Sequence, residues 1–221
     1  MFFKHLSIFF LAFTFLISCE TKQQKSKDAV QAEPKVKSDS AFIPAQNDYD
    51  WQEGFGLTHD PEKDSIWFKP VQYYLSDDNC SGLAYDFYMG TLRPGDDGTT
   101  DELLKLACSD NEKLRPFYRW CLNKTILVQD GALGEHTGIP ARRYAEKFPN
   151  EFFEYMDIDS TGSKYLDWVN AISYSGYYEH DSFEKKNEVR QRMISTMKKN
   201  CKDCSSEMLR RIETFAKDCF N

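Results

Sequence analysis

The sequence predicts a mainly α-helical protein, a compact bundle of about six helices that carries an irregular aromatic-rich N-terminal layer and is stapled by disulfides. Three observations predict it. From Thr99 onward apolar residues recur at three- and four-residue spacing, from Tyr49 to Gly98 short aromatic clusters alternate with turn residues, and six cysteines are spread from Cys80 to Cys219. Helices paired across short turns could also stack as a solenoid. No segment repeats another at a fixed period, so a closed bundle is the expectation.

The loop-rich layer spans residues 49–98. Trp51, Phe55, Trp67, Phe68, Tyr73, Tyr74 and the run Tyr85 to Met89 are separated by Gly54, Gly56, Pro61, Pro70, Gly82, Gly90, Pro94, Gly95 and Gly98. Glycine and proline at that density break long helices, which leaves room for one short helix from Cys80 to Met89 and a small strand pair.

The helical part spans residues 99–221. Thr99 and Glu102 match a capping box, with Leu103, Leu104, Ala107 and Cys108 on one face behind it. Pro116 suits the first turn of a helix starting near Arg115, because the amide it lacks would have no partner there. Leu114, Phe117, Tyr118, Cys121 and Leu122 form that helix's apolar stripe. By the same rule Pro140 and Pro149 mark the starts of helices over 141–148 and 150–156. A helix over 164–174 follows, then one over 182–199 introduced by Asp181 and Glu184. The last, over 206–220, has the clearest period: Met208, Leu209, Ile212, Phe215, Ala216, Cys219 and Phe220.

Ahead of the globular part lies an export signal. Lys4 and His5 precede an apolar run from Leu6 to Ile17, which at twelve residues is too short to cross a ~30 Å hydrocarbon core. Residues 1–18 read as a signal peptide. Leu16-Ile17-Ser18-Cys19 resembles the lipobox of bacterial lipoproteins, although Ile17 stands where a small residue is commoner. The resemblance covers the signal segment alone. It implies cleavage before Cys19, acylation of that cysteine with palmitate-type chains, and residence in the bacterial cell envelope, on the outer membrane facing the periplasm or the surface. Residues 19–48 are polar and poor in aromatics, with Pro34 and Pro44 as breakers, and read as a flexible tether. Residues 49–221 then form a single globular domain.

Composition narrows the function. Twenty-eight Lys and Arg face 35 Asp and Glu, a net charge of −7. Such a surface repels phosphate backbones, which argues against nucleic acid as a partner. The expected contacts are the membrane, through the acyl chains, and an envelope protein or glycan.

An even number of cysteines in an exported chain reads as disulfides. Cys108 and Cys121 lie thirteen residues apart across a turn, where a bridge would staple a helical hairpin with about 3 kcal/mol of loop-closure stabilisation. Cys219 is then expected to pair with Cys201 or Cys204, leaving the other for Cys80. The Cys201-Lys202-Asp203-Cys204 spacing also occurs in redox and zinc sites, but no strand and helix alternation and no second such pair accompany it.

Three further constellations carry possible chemistry. His59, His136 and His180 each adjoin an acid, and if gathered could hold a zinc ion for a metal-dependent hydrolase. Asp157-Ile158-Asp159-Ser160-Thr161-Gly162-Ser163 is similar to the opening of an EF-hand calcium loop, but Trp168 occupies the position of the closing glutamate. The segment from Tyr174 to Asp181 mixes aromatic and polar groups most densely, and Tyr174, Tyr177, Tyr178, His180 and Asp181 are the first candidates for a ligand groove. No GxSxG elbow and no phosphate-binding Gly-x-x-x-x-Gly-Lys loop is present. The expected function is therefore a lipid-anchored, non-catalytic binding or interaction module, with a metal-dependent hydrolase and a structural assembly subunit as the alternatives.

Overall fold

Short elements dominate the beginning of the computed structural model, which describes residues 50–180 and 182–221. The signal segment, Cys19, the tether and Asp181 lie outside the described residues. Helix α1 (Trp51–Gly54) is capped by the Asp50 carboxylate, which accepts from the Gln52 amide at 2.9 Å. Its Trp51 indole N–H donates to the Gly90 carbonyl at 2.8 Å, tying α1 to the end of α3 (Gly82–Met89). Between them come the antiparallel strands β1 (Ser65–Ile66) and β2 (Lys69–Pro70), then α2 (Gln72–Leu75).

The two-residue turn joining β1 and β2 has positive φ at both positions, 52° at Trp67 and 60° at Phe68. Glycine and asparagine are the usual occupants, since a Cβ costs roughly 1–2 kcal/mol there. An offsetting contact is visible at Trp67. Its ring lies 4.2 Å from the Arg119 guanidinium carbon, while Phe68 projects outward, 78% exposed.

The bundle begins with α4 (Gly98–Lys105), and here the expected cap shifts. Asp97, in extended conformation, accepts from the Thr100 amide at 2.9 Å, so the Thr99 and Glu102 capping box gives way to an aspartate two residues earlier. A 3-10 turn over Leu106–Cys108 leads to α5 (Arg115–Val128), the central helix. Every residue of α5 except Leu127 is buried, including Arg115, Arg119 and Lys124.

Those cations are paired across the molecule. Arg119 meets Glu151 at 3.2 Å and the Tyr144 hydroxyl at 3.1 Å, and the Tyr155 ring covers it at 3.9 Å. Arg115 meets the same glutamate at 2.8 Å. Lys124 bonds Asp60 and, at 3.2 Å, Glu62, which also accepts from Lys164 at 2.8 Å. Ion pairs thus fasten the loop-rich layer onto the helices.

Helix α6 (Gly131–Lys147) corrects the expectation that a helix starts at Pro140. It runs through the proline for 17 residues. An interior proline costs roughly 3 kcal/mol in a helix that stands alone. Here Thr137, Gly138, Pro140, Ala141 and Arg142 are all buried, and that packing holds the helix together. Pro149 does occupy the first position of α7 (Pro149–Asp157). Next are α8 (Ser163–Ser173), the short α9 (Ser175–His180), a 3-10 turn over Phe183–Lys185, α10 (Lys186–Asn200) and α11 (Ser206–Cys219). Ser182 caps the turn before α10 by accepting from the Glu184 amide at 3.1 Å, while the Asp181 half of the expected pair lies outside the described residues. Eight helices of eight residues or more are present among the described residues, where about six were expected, and the mainly α class stands. No helix among them is long and apolar enough to cross a membrane.

The disulfide pattern differs from the expected one. Cys201 and Cys204 bond to each other in the turn between α10 and α11, whereas Cys80, Cys108, Cys121 and Cys219 are free thiols. Closing this local bridge removes both partners proposed for Cys219 and the one left for Cys80. The expected Cys108–Cys121 staple is also absent. Cys108 ends a 3-10 turn with its sulfur 3.9 Å from the Pro140 carbonyl, toward α6, while Cys121 is sealed within the core. Helical periodicity placed both on inward faces but could not show that they face different neighbours.

Candidate functional site

The N-terminal end of α6 lies at the meeting of two hollows. One, of about 500 Å³, is lined by Asp130, Gly131 and Gly134 on one side and by Asn170, Ala171, Tyr174 and Tyr178 on the other. The second, of about 490 Å³, is lined by Phe55, Arg93, Asp96 and Leu133 among others. Gln129 and Asp130 belong to the walls of both.

The tyrosine wall is fixed by the sequence around α9. Gly138 lets α6 approach the end of α8 so closely that a Cβ there would stand 2.5 Å from the Ala171 carbonyl oxygen. Gly176 plays a similar part against Val189 of α10, where a Cβ would meet a methyl at 3.3 Å. Glu179 then pins α9 from both sides, receiving Arg142 of α6 at 3.0 Å and Arg192 of α10. Although burial works against ionisation, the two guanidinium groups hold the Glu179 carboxyl below the usual carboxylate range.

On this base the rings form an outward cluster. Tyr177 stacks on Phe183 with centroids 4.7 Å apart, Tyr174 meets the same ring edge-on at 6.2 Å, and Tyr177 and Tyr178 are perpendicular at 5.5 Å. Tyr174 is 52% exposed. Burial, assisted by the charge of Glu135, raises the Tyr178 phenol, so it stays a neutral hydroxyl able to donate.

Polar groups face the rings across the hollow. The Thr137 hydroxyl donates to the Gln129 side-chain oxygen, which leaves the Gln129 amide nitrogen as a donor. Asp130 uses one carboxylate oxygen to cap α6, accepting from the Leu133 amide at 2.9 Å, and its second oxygen remains an acceptor. In the second hollow Arg93 lies 5.9 Å above the Phe55 ring. Asp96 there accepts from His136, whose other ring nitrogen bonds Asp101, both at 2.8 Å.

Of the groove residues expected from sequence, Tyr174 and Tyr178 line the hollow and Tyr177 supports them. His180 does not join them: it stands 3.7 Å from Glu179, and its Nε2 is buried with no hydrogen bond among the described residues. Asp181 lies outside the described residues.

The three histidines do not converge. His59 stands 3.4 Å from Glu53 on the exposed N-terminal layer, His136 is clamped by Asp96 and Asp101, and His180 neighbours Glu179. Among the described residues no group of three His, Cys, Asp or Glu side chains is placed to hold a metal ion. The zinc expectation therefore loses its ligand set, and the hydrolase reading loses the centre it depended on. The calcium-loop similarity fails for a local reason. Asp159 spends its oxygens on the Thr161 and Ser163 hydroxyls and the Lys164 amide, Asp157 pairs with Arg211, and Trp168 is core.

Gln129, Asp130, Asn170, Phe55 and Arg93 were not anticipated as site residues. Asp130 before Gly131 carries an N-cap signal that could have located the end of α6. Asn170 sits mid-helix with no sequence mark at all. No family model, curated protein or solved structure matches this chain.

Proposed function

We propose that the protein is a lipid-anchored component of the bacterial cell envelope, held to a membrane by acyl chains on Cys19, and that it binds a ligand in the cleft beside α6 without catalysing a reaction on it. The observation that carries the binding reading is the outward cluster of Tyr174, Tyr177, Tyr178 and Phe183 bordering a hollow of about 500 Å³ with Gln129, Asp130 and Asn170 opposite. Rings held this rigidly give contact area at little cost in side-chain freedom, and a few convergent polar groups fix a ligand's orientation.

Two measurements test this. Metabolic labelling with radioactive palmitate should mark the protein and leave it in the membrane fraction, while Cys19→Ser should lose the label and appear in the soluble fraction. An unlabelled wild-type protein in the soluble fraction would overturn the anchor. Replacing Tyr174 and Tyr178 by alanine should abolish retention of the purified protein on isolated envelope polymers at unchanged melting temperature, and undiminished retention would overturn the cleft.

A further inference from the structure

We infer that the two hollows form one trough, and that its occupant is an uncharged linear glycan strand several sugar units long, lying across Gln129 and Asp130 from Tyr174 and Tyr178 at one end to Phe55 at the other. The inference rests on the binding reading above and adds the class of ligand and its extent.

Continuity comes first. The same two side chains, Gln129 and Asp130, line both hollows, so the two openings lie side by side at the start of α6. Each hollow alone falls within the roughly 300–1,000 Å³ range of small-ligand sites, and a strand filling both must be longer than any single sugar. Exposed rings stand at each end: Tyr174 is 52% and Phe55 46% exposed. The face of a pyranose ring carries a row of C–H groups with slight positive charge, complementary to the negative face of an aromatic ring.

The middle of the trough suits hydroxyl groups. Gln129 offers an amide N–H pair, because its oxygen is taken by Thr137, and Asp130 offers an oxygen, because only one is used in capping α6. Asn170 offers both a donor and an acceptor. A hydroxyl donates and accepts at once, so a mixed row of this kind is matched by vicinal hydroxyls.

Charge selects the neutral class. Two carboxylates, Asp96 and Asp130, line the second hollow beside Arg93, Asp96 being held also by His136, and the chain as a whole carries −7, a field that disfavours phosphate-rich or uronic polymers. A peptide matches less well. Strand addition needs an exposed sheet edge, yet β1 and β2 are two residues each and contribute nothing to the trough. An amphipathic helix needs a continuous apolar floor, which Gln129, Asp130 and Arg93 interrupt.

The test uses the full-length protein in detergent micelles and follows its intrinsic tyrosine and tryptophan fluorescence. The probes are N-acetylglucosamine oligomers of two to six units and an acetylated, amidated Ala-Leu hexapeptide. The hexamer should bind about tenfold more tightly than the dimer, a gain on the order of 1.4 kcal/mol. Tyr178→Ala should weaken the hexamer about tenfold, and Phe55→Ala should remove the advantage of the hexamer over the dimer. Equal affinity for dimer and hexamer would overturn the single trough. Peptide binding lost in Tyr178→Ala, with no response to any saccharide, would overturn the glycan and leave the cleft. No Tyr178-dependent binding of either probe at millimolar concentration would overturn both.

Discussion

Gly138 passes the Ala171 carbonyl so closely that a Cβ on residue 138 would lie 2.5 Å from the oxygen. No real Cβ rests at that distance, and the obstacle is backbone, which cannot rotate away. Helices α6 and α8 are therefore apposed through a glycine, and the cleft between Gly134 and Tyr174 opens just beyond their contact. Gly138→Ala should destabilise the fold by about 1–3 kcal/mol, the usual cost of overpacking. Urea unfolding measures it, and an unchanged midpoint would show that the two helices are not so close.

The buried guanidinium of Arg119 depends on Glu151, which also serves Arg115 and the Tyr144 hydroxyl. Removing one partner of a buried ion pair strands the other charge away from water. Glu151→Gln should accordingly cost on the order of 3 kcal/mol, whereas Glu207→Gln, at a solvent-screened pair with Arg210, should cost far less. Thermal denaturation of the two variants compares them, and equal losses would argue that the Arg119 network is solvated.

His136 gives the fold a pH dependence of known sign. Burial acts to lower its pKa, but the hydrogen bonds to Asp101 and Asp96 outweigh burial and hold the imidazolium above its ordinary value. A group whose pKa rises on folding contributes stability fully below its unfolded pKa, about 6.5 for histidine, and loses it as pH climbs through the folded value. Stability should fall across that window in the wild type and fall less in His136→Gln. An NMR titration should place the His136 midpoint above the ordinary histidine value of about 6.5, and a midpoint below it would contradict the clamp.

Cysteine chemistry offers an independent check. Alkylation of the unreduced, unfolded protein followed by mass mapping should find Cys201 linked to Cys204, and Cys108 and Cys121 modified separately. Burial raises both of the latter thiols, so in the native state they should react slowly. Because the loop closed by the Cys201–Cys204 bridge is short, Cys204→Ser should cost only about 2 kcal/mol.

The helical class, Pro149 at a helix start and the strong period of α11 could be read from the sequence because each is a local signal. The path of α6 could not. Pro140 carries a strong local preference for a helix start, and only the burial of its neighbours Thr137, Gly138 and Ala141 overrides it. Central α5 was equally deceptive. Its apolar stripe predicts one buried face, yet Arg119 and Lys124 are inside too, because their partners Glu151 and Glu62 come from distant segments. In the site, Tyr174 and Tyr178 stood out by composition. Gln129 and Asn170, which face them, belong to other elements and carry no mark of their own, since proximity across a cleft is not encoded in spacing.

The central claim is that ligand binds where α6 begins, between Tyr178 and Phe55. Chemical-shift mapping of the isotope-labelled protein against the N-acetylglucosamine hexamer tests it most directly. The side-chain amides of Gln129 and Asn170 and the backbone amides of Tyr174, Tyr178 and Phe55 should shift together with one dissociation constant. Shifts centred on another surface, or none among these five residues at saturation, would contradict it.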